Sequence, residues 1–463
     1  MPRLSSPTLP RPLLRHTPPA VLAVSTALVL GMAGSAQAQS LQALYDAARG
    51  YDASYQSARS FADSTTYKAE QSRALMRPVL NATGTLAEAR SNSPSVTANA
   101  MTTSRSGQRA VALTGQVPLF NRANEKTIRQ SERAIEVAQS QLQAAEQDLI
   151  VRVVQAYFDV LAASDALGTV RASKAAIAEQ LASAKRNFEV GTATITDTRE
   201  AQARYDLATA QELAAENDLN VKRLALESVS GQRGLAPRPM AVPVLLPALV
   251  PADVEAWVAE ADTTSPALQQ LRLAREVARL ETEKARAAGL PTVGLSGSIN
   301  EAHSNVSSAT LGNNFSGSGF GPGASVSLLL TMPLYTGGLV QNRIKETLAL
   351  EDKAQTDLEA ARRNTAQGTR SAFFGVRSLT AQVTALEAAE SSSKLALEAT
   401  QLGYKVGVRV NLDVLNAQTQ LFQAQRDLAK ARYDVVVNSL KLRQVTGGLQ
   451  PQDVTAVDAL LAR

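Results

Sequence analysis

Apolar positions along the chain fall into two alternating regimes. From Arg122 to about Val190 there is no proline, and Ile128, Ile135, Leu142, Leu149, Ala156 and Ala163 recur every seven residues. That spacing predicts one uninterrupted helix, roughly 100 Å long at 1.5 Å per residue. The stretch from about Val340 to Val406 predicts a second one, and beyond it Leu421, Leu428, Val435 and Leu442 keep the same heptad spacing. Seams of this kind require partner helices. Elsewhere the period drops to two. Residues 79–90 and 109–119 predict strands, the second with Val111, Leu113 and Val117 on one face. Val293, Leu295 and Ile299 alternate likewise, as do Val326, Leu328, Leu330 and Met332. The Ser-, Asn- and Thr-rich residues 91–108, and the Ser-, Asn- and Gly-rich residues 304–323, are expected as loops between these strands. Leu41 to Arg77 predicts a helix closed by Pro78. Ala241 to Pro251, with Pro243 and Pro247, predicts an extended linker.

These elements occur twice. Val190-Gly191 with Asp197 matches Val406-Gly407 with Asp413 at an offset of 216, and Ala156-Tyr157-Phe158 matches Ala372-Phe373-Phe374 at the same offset. Val117-Pro118-Leu119-Phe120 matches Met332-Pro333-Leu334-Tyr335 at 215. A near-constant offset across Pro, Gly and aromatic landmarks indicates a duplication. The expected division is a leader at 1–38, a first repeat at 39–248, a second repeat at 249–450 and a short tail at 451–463.

Composition narrows the function. Arg3, Arg11 and Arg15 precede the apolar run Ala20 to Ala33, and Ala36-Gln37-Ala38 fits a signal-peptidase site, so export with cleavage after Ala38 is expected. Removing those three arginines leaves 44 basic against 42 acidic residues with no basic block, which argues against nucleic-acid binding. There is no cysteine for a disulfide or a lipid anchor, and no apolar run after residue 38 suits a membrane-spanning helix. Any membrane crossing must therefore use strands. Catalysis is poorly supplied: beyond residue 38 the sole histidine is His303. The glycine-rich 317–323 lacks the lysine and spacing of a phosphate loop, so neither cofactor nor metal is expected. Trp257 is expected to pack near a short helix at 251–262, within a belt formed by residues 251–288.

Four strands cannot close a membrane barrel, since the smallest have about eight. Three copies would supply twelve strands and four copies sixteen, and the pattern is compatible with both. The segment Tyr404-Lys405-Val406-Gly407-Val408-Arg409-Val410-Asn411-Leu412-Asp413-Val414-Leu415-Asn416-Ala417-Gln418 resembles the second-half tip motif of TolC-family outer-membrane channels. Phe188 to Asp197 resembles its first-half counterpart, and Leu334-Tyr335-Thr336-Gly337-Gly338 resembles the family's strand-to-helix junction. The resemblance implies a mainly α fold with transmembrane β-strands. It further implies a homotrimer with a twelve-stranded barrel in outer-membrane lipid and an α-helical barrel in the periplasm of a Gram-negative cell. A periplasmic adaptor and an inner-membrane ABC or proton-driven pump would be the partners. A periplasmic coiled-coil adaptor or scaffold is the alternative, although such a protein should carry one hairpin rather than two.

Carried over by position, the resemblance makes Thr196, Asp197, Tyr404 and Arg409 a periplasmic gate that closes the helix tips. It makes Asp413 and the position of Asn416 a cation-selective ring. Asn416 departs from the acidic residue of the family, so a weaker ring is expected. Asp413 also reads, on ordinary helix chemistry, as the N-cap of the return helix.

Overall fold

The computed structural model describes residues 40–462 except 96–99, 193, 242, 243, 245, 311 and 312. The leader and its cleavage site lie outside the described residues.

The N-terminal segment expected as one helix is two, α1 (Leu41–Tyr51) and α2 (Ala53–Arg73), followed by a 3-10 turn at Ala74–Met76. Asp52 makes the break. Its amide closes α1 by donating to the Ala48 carbonyl at 2.7 Å, while its carboxylate caps α2 by accepting from the Tyr55 amide at 2.8 Å. Arg152 then clamps that carboxylate with two hydrogen bonds of 2.7 and 3.0 Å. The hydrogen bonds from Arg152 hold the Asp52 carboxyl below its ordinary range.

Strands β1 (Val79–Ser95) and β2 (Ala100–Phe120) form a hairpin, as do β3 (Thr292–Thr310) and β4 (Asn313–Thr331). The four strands make one antiparallel sheet in the order β1-β2-β3-β4. Most of the two expected loops is therefore strand, and the hairpins reach well past the predicted ends. The Ser, Thr, Asn and Gly that suggested loops instead sit in extended strand on both faces of the sheet; the hydroxyl-rich face is the one opposite Leu113 and Ile299. Hydroxyls bridge strands on that face, with Ser296–Ser327 at 2.7 Å, Ser298–Ser325 at 2.8 Å and Thr102–Thr310 at 2.7 Å.

Helix α3 (Arg122–Glu189) has 68 residues and turns back into α4 (Ile195–Ser230). In the second half α5 (Val254–Thr264) and α6 (Pro266–Ala287) precede the strands, and α7 (Leu339–Lys405, 67 residues) turns back into α8 (Asn411–Thr446). The expected belt at 251–288 is thus two helices: α5 lies against α7 and α8, and α6 runs along α3 and α7. Trp257 is buried with Phe373, Val376 and Leu442, and its indole N–H donates to the Pro251 carbonyl at 2.8 Å. The C-terminal tail contains a short helix, α9 (Pro451–Asp458), whose Asp458 accepts from the Leu41 amide at 2.7 Å and pairs with Arg238 at 2.9 Å.

The largest core surrounds the middle of α3, where Tyr157 and Phe158 are buried among Leu41, Leu44, Val436 and Val454. The Tyr157 hydroxyl accepts from the Arg238 amide at 2.7 Å and donates to its carbonyl at 3.1 Å. Burial pushes this phenol up to about 12. The duplicated pair Phe373–Phe374 repeats the edge-to-face geometry, with ring centroids 5.7 Å apart in both halves. Leu421, Leu428, Val435 and Leu442 of the return seam are all buried.

Side by side, the hairpin helices follow the order α4–α3–α8–α7. The outermost helices are incompletely covered. On α7, Phe374, Ser378, Ala381, Ala385, Ala388, Ser392, Leu395, Ala399 and Leu402 are all exposed and repeat with alternating steps of four and three. On α4, Ala203, Leu207, Ala210, Ala214, Asn217, Val221 and Leu224 do the same. Each is a coiled-coil seam, that of α7 mostly of small residues, with no partner helix among the described residues.

Candidate functional site

The far ends of the two long hairpins are built alike. Val190 and Val406 end their helices at φ −90° and −91°, and Gly191 and Gly407 follow at φ 76° and 78°. Only glycine adopts this left-handed conformation without strain. The Gly191 and Thr192 amides donate to the Phe188 and Asn187 carbonyls at 3.0 and 2.8 Å. In the second half the Gly407 and Val408 amides donate to the Tyr404 and Gly403 carbonyls at 3.1 and 2.9 Å. Both pairs are Schellman caps, which satisfy the last carbonyls of a helix and reverse the chain.

The return helices then diverge. In the first half Thr194 is the N-cap and Asp197 the third residue of a closed capping box. The Asp197 amide donates to the Thr194 hydroxyl at 3.2 Å, and the Asp197 carboxylate accepts from the Thr194 amide at 3.0 Å and hydroxyl at 2.8 Å. In the second half the N-cap is Val410, with nearly the same backbone angles but no oxygen to offer. Asp413 is consequently not the cap expected from the sequence. It occupies the third helical position, and its carboxylate lies 3.6 Å from the Arg409 guanidinium.

Gly403 makes room for this arginine, because a Cβ there would sit 2.8 Å from Arg409 Cγ. At the equivalent first-half position stands Asn187, whose amide donates to the Tyr404 hydroxyl at 3.2 Å and ties the two hairpins together. A second tie runs from Arg204 to Asn416 Oδ1 at 3.0 Å. Beneath them Leu415 is inserted among Ile177, Leu181, Ala184 and Ala201. The chain thus unites Arg409 with Asp413, and Tyr404 with the other hairpin. Asp197 is engaged by its own cap, and Thr196 is exposed.

Asn187, Arg204 and Gly403 were not identified from the sequence. The signal for them was the local failure of the repeat, with Asn facing Gly at one matched position and Thr facing Val at another. Asn411 was also missed: it is buried at 4% exposure, and neither side-chain amide atom has a partner among the described residues.

The sheet supplies the other half of the site. Register places Leu80, Ala82, Val111, Leu113, Leu295, Ile299, Val326 and Leu328 on one face, with Leu328 67% and Val326 80% exposed. The opposite face carries Asn81, Thr83, Thr114, Ser296, Ser298, Ser325 and Ser327, and none of its described side chains is charged. No helix among the described residues is long and apolar enough to cross a membrane. Among them no group of three or more His, Asp or Glu is placed to hold a metal ion.

The family model described as outer membrane efflux protein matches residues 44–232 and 257–448. Outer membrane protein TolC of Vibrio cholerae is 35% identical over 341 residues, covering 74% of this chain and 77% of that protein. The alkaline protease secretion protein AprF of Pseudomonas aeruginosa is 32% identical over 352 residues, covering 74% and 70%. Among solved structures, the Campylobacter jejuni CmeC outer membrane channel superposes with a TM-score of 0.72 at 15% identity, over 99% of this chain and 98% of that one. The coiled-coil adaptor alternative is displaced by these matches.

Proposed function

Because the chain belongs to the outer membrane efflux protein family, we propose that it is the exit duct of a tripartite export system. It is an outer-membrane channel protein rather than an enzyme. In this reading three copies close a twelve-stranded barrel, and their hairpins form a helical tunnel through the periplasm. A periplasmic adaptor and an energised inner-membrane pump deliver polypeptides or small molecules to it. The leader is removed after Ala38 during export.

One observation carries the proposal: sheet and helices are open along corresponding flanks. In the sheet, β1 and β4 are both edges. In the hairpin layer α4 and α7 are the edges, and both expose unpartnered seams. Unpaired strand edges are not tolerated in lipid, and an exposed coiled-coil seam needs a facing helix. A closed ring of identical chains, each joining its β4 and α7 flank to the β1 and α4 flank of the next, satisfies both at once. The apolar face then meets lipid and the hydroxyl-rich face lines the lumen.

At the tips we assign Asp197, Thr196, Tyr404 and Arg409 to contacts between neighbouring hairpins that hold the tunnel shut. Asp413 and Asn416 face its narrowest part. Exposed ion pairs of this kind contribute only about 0–1 kcal/mol each, which leaves the ring releasable by a docking partner.

The chain has no cysteine, so single-cysteine labelling tests the barrel cleanly. Ser298→Cys should react with a charged, membrane-impermeant maleimide in the inserted oligomer, and Ile299→Cys should not. Native mass spectrometry should return three chains. Equal labelling at the two positions, or a monomer, would remove the barrel.

A further inference from the structure

Every charged side chain in the described strands, together with His303, stands on the lipid-facing side of the sheet: Glu301 lies opposite Val111 at the upper edge of the apolar band, and Glu88, Arg90, Arg105, Arg109 and His303 lie beyond it. Leu113 pairs with Ile299 in one apolar row. Toward the hairpin ends, roughly 13 Å on at 3.3 Å per residue, Arg109 stands between Leu86 and His303. Roughly 13 Å further, Arg105 pairs directly with Arg90 across β1 and β2. Like charges facing each other across a strand pair are destabilising. The nearby acids do not relieve them: Glu88 lies one row from the Arg90–Arg105 pair and Glu301 one row from Arg109 on the same face, yet no carboxylate among the described residues forms an ion pair with Arg90, Arg105 or Arg109.

Beside Arg90 and Arg105 the surface opens into a polar depression of about 740 Å³, lined also by the Glu88 carboxylate, Asn305 and Ser318. Gly107 lies on its floor, and a Cβ there would lie 2.3 Å from Asn305 Oδ1, so a side chain at this position would displace that of Asn305. A duct that used barrel charges to select ions would carry them on the lumen face, which here has none at its described positions.

We propose that this collar binds the phosphate-bearing headgroup of an anionic outer-leaflet lipid. Arg90 and Arg105 clamp one phosphate from adjacent strands, and Arg109 meets the headgroup's lower edge where the acyl chains begin. Guanidinium groups suit this task because their planar donors match phosphate oxygens bidentately. The anion also removes the repulsion between the two arginines. The inference rests on the barrel reading above, with this face toward lipid and the hairpins outward.

The test uses the full-chain oligomer in detergent, probed with bis-phosphorylated lipid A and with the same lipid after phosphate removal. Native mass spectrometry should show at least about tenfold more retention of the phosphorylated form, a ratio consistent with several arginines near a charged surface. Arg90→Gln with Arg105→Gln should abolish the preference, and the double lysine variant should restore part of it. If the double variant fails to assemble, Arg105→Gln alone is decisive. It should raise the Tm of the lipid-free oligomer by relieving the like-charge pair, and lower the gain in Tm that phosphorylated lipid gives. Equal retention of the two lipids, an unchanged preference in the glutamine variant, or a full effect from inorganic phosphate alone would each overturn the proposal. Failure of the barrel reading would look different, since no stable oligomer would then retain either lipid.

Discussion

Arg409 and Asp413 lie one helical turn apart at the second hairpin tip, with guanidinium and carboxylate 3.6 Å from each other. The contact exists because Val410, lacking a side-chain oxygen, leaves Asp413 without the capping box that engages Asp197 in the first half. Val410→Thr should therefore close a second capping box, draw Asp413 back toward its own helix end, and stabilise that helix by about 1 kcal/mol. A rise in the Tm of the oligomer checks this. An unchanged Tm would mean that the cap does not form.

Ion selectivity should depend on Asp413 more than on position 416. Asn416 accepts from Arg204 at 3.0 Å, so an aspartate placed there would be partly neutralised by that arginine. Asp413→Asn should lower the cation preference measured from reversal potentials. Asn416→Asp should raise it only slightly, and more strongly when combined with Arg204→Gln.

The two faces of β4 should tolerate charge very differently. Leu328→Arg places a cation on the lipid face and should cost about 2–4 kcal/mol near mid-membrane. Ser327→Arg, one residue away on the hydroxyl face, should still assemble. The yield of heat-resistant oligomer in outer-membrane fractions measures both, and equal tolerance would contradict the assignment of faces.

Acid should loosen the junction between helices and sheet. Burial pushes the Glu281 carboxyl up, but hydrogen bonds from Gln130, Lys284 and Arg343 outweigh it and hold the group at about 2. These partners lie on α3, α6 and α7. A carboxyl depressed from its ordinary 4.5 contributes stability that is complete above that pH and is lost as pH falls toward 2. The wild type should lose on the order of 2–3 kcal/mol per chain from this group across that window. Glu281→Gln should have a lower Tm at neutral pH and a shallower acid dependence, as thermal melts from pH 5 to 2 would show.

The long helices were legible in the sequence nearly to the residue, because an unbroken heptad pattern without proline admits few alternatives. The expected Arg122 to Val190 became Arg122–Glu189, and Val340 to Val406 became Leu339–Lys405. The strands were legible in type but not in length. Ser, Thr, Asn and Gly mark loops in most proteins, and here they also fill the outer reaches of long paired strands. Composition could not separate the two uses at 91–108 or 304–323. Asp52 was hidden inside a helical pattern because an aspartate there reads equally as a helix-surface residue, and the Arg152 that clamps its carboxylate lies far away in the chain. At the tip the repeat located the residues, but the roles of Asn187 and Arg204 depend on contacts between hairpins, and that of Gly403 on the fold of Arg409 back over its own turn, which no single helix pattern encodes.

Single-channel conductance of the purified oligomer in a planar bilayer tests most directly whether the chain forms a gated outer-membrane duct closed at its helical tip. The wild type should give small, cation-preferring steps, and Arg409→Ser should enlarge them severalfold by releasing the tip contacts. A folded oligomer that does not insert, or one whose conductance is unchanged by Arg409→Ser, would contradict the account.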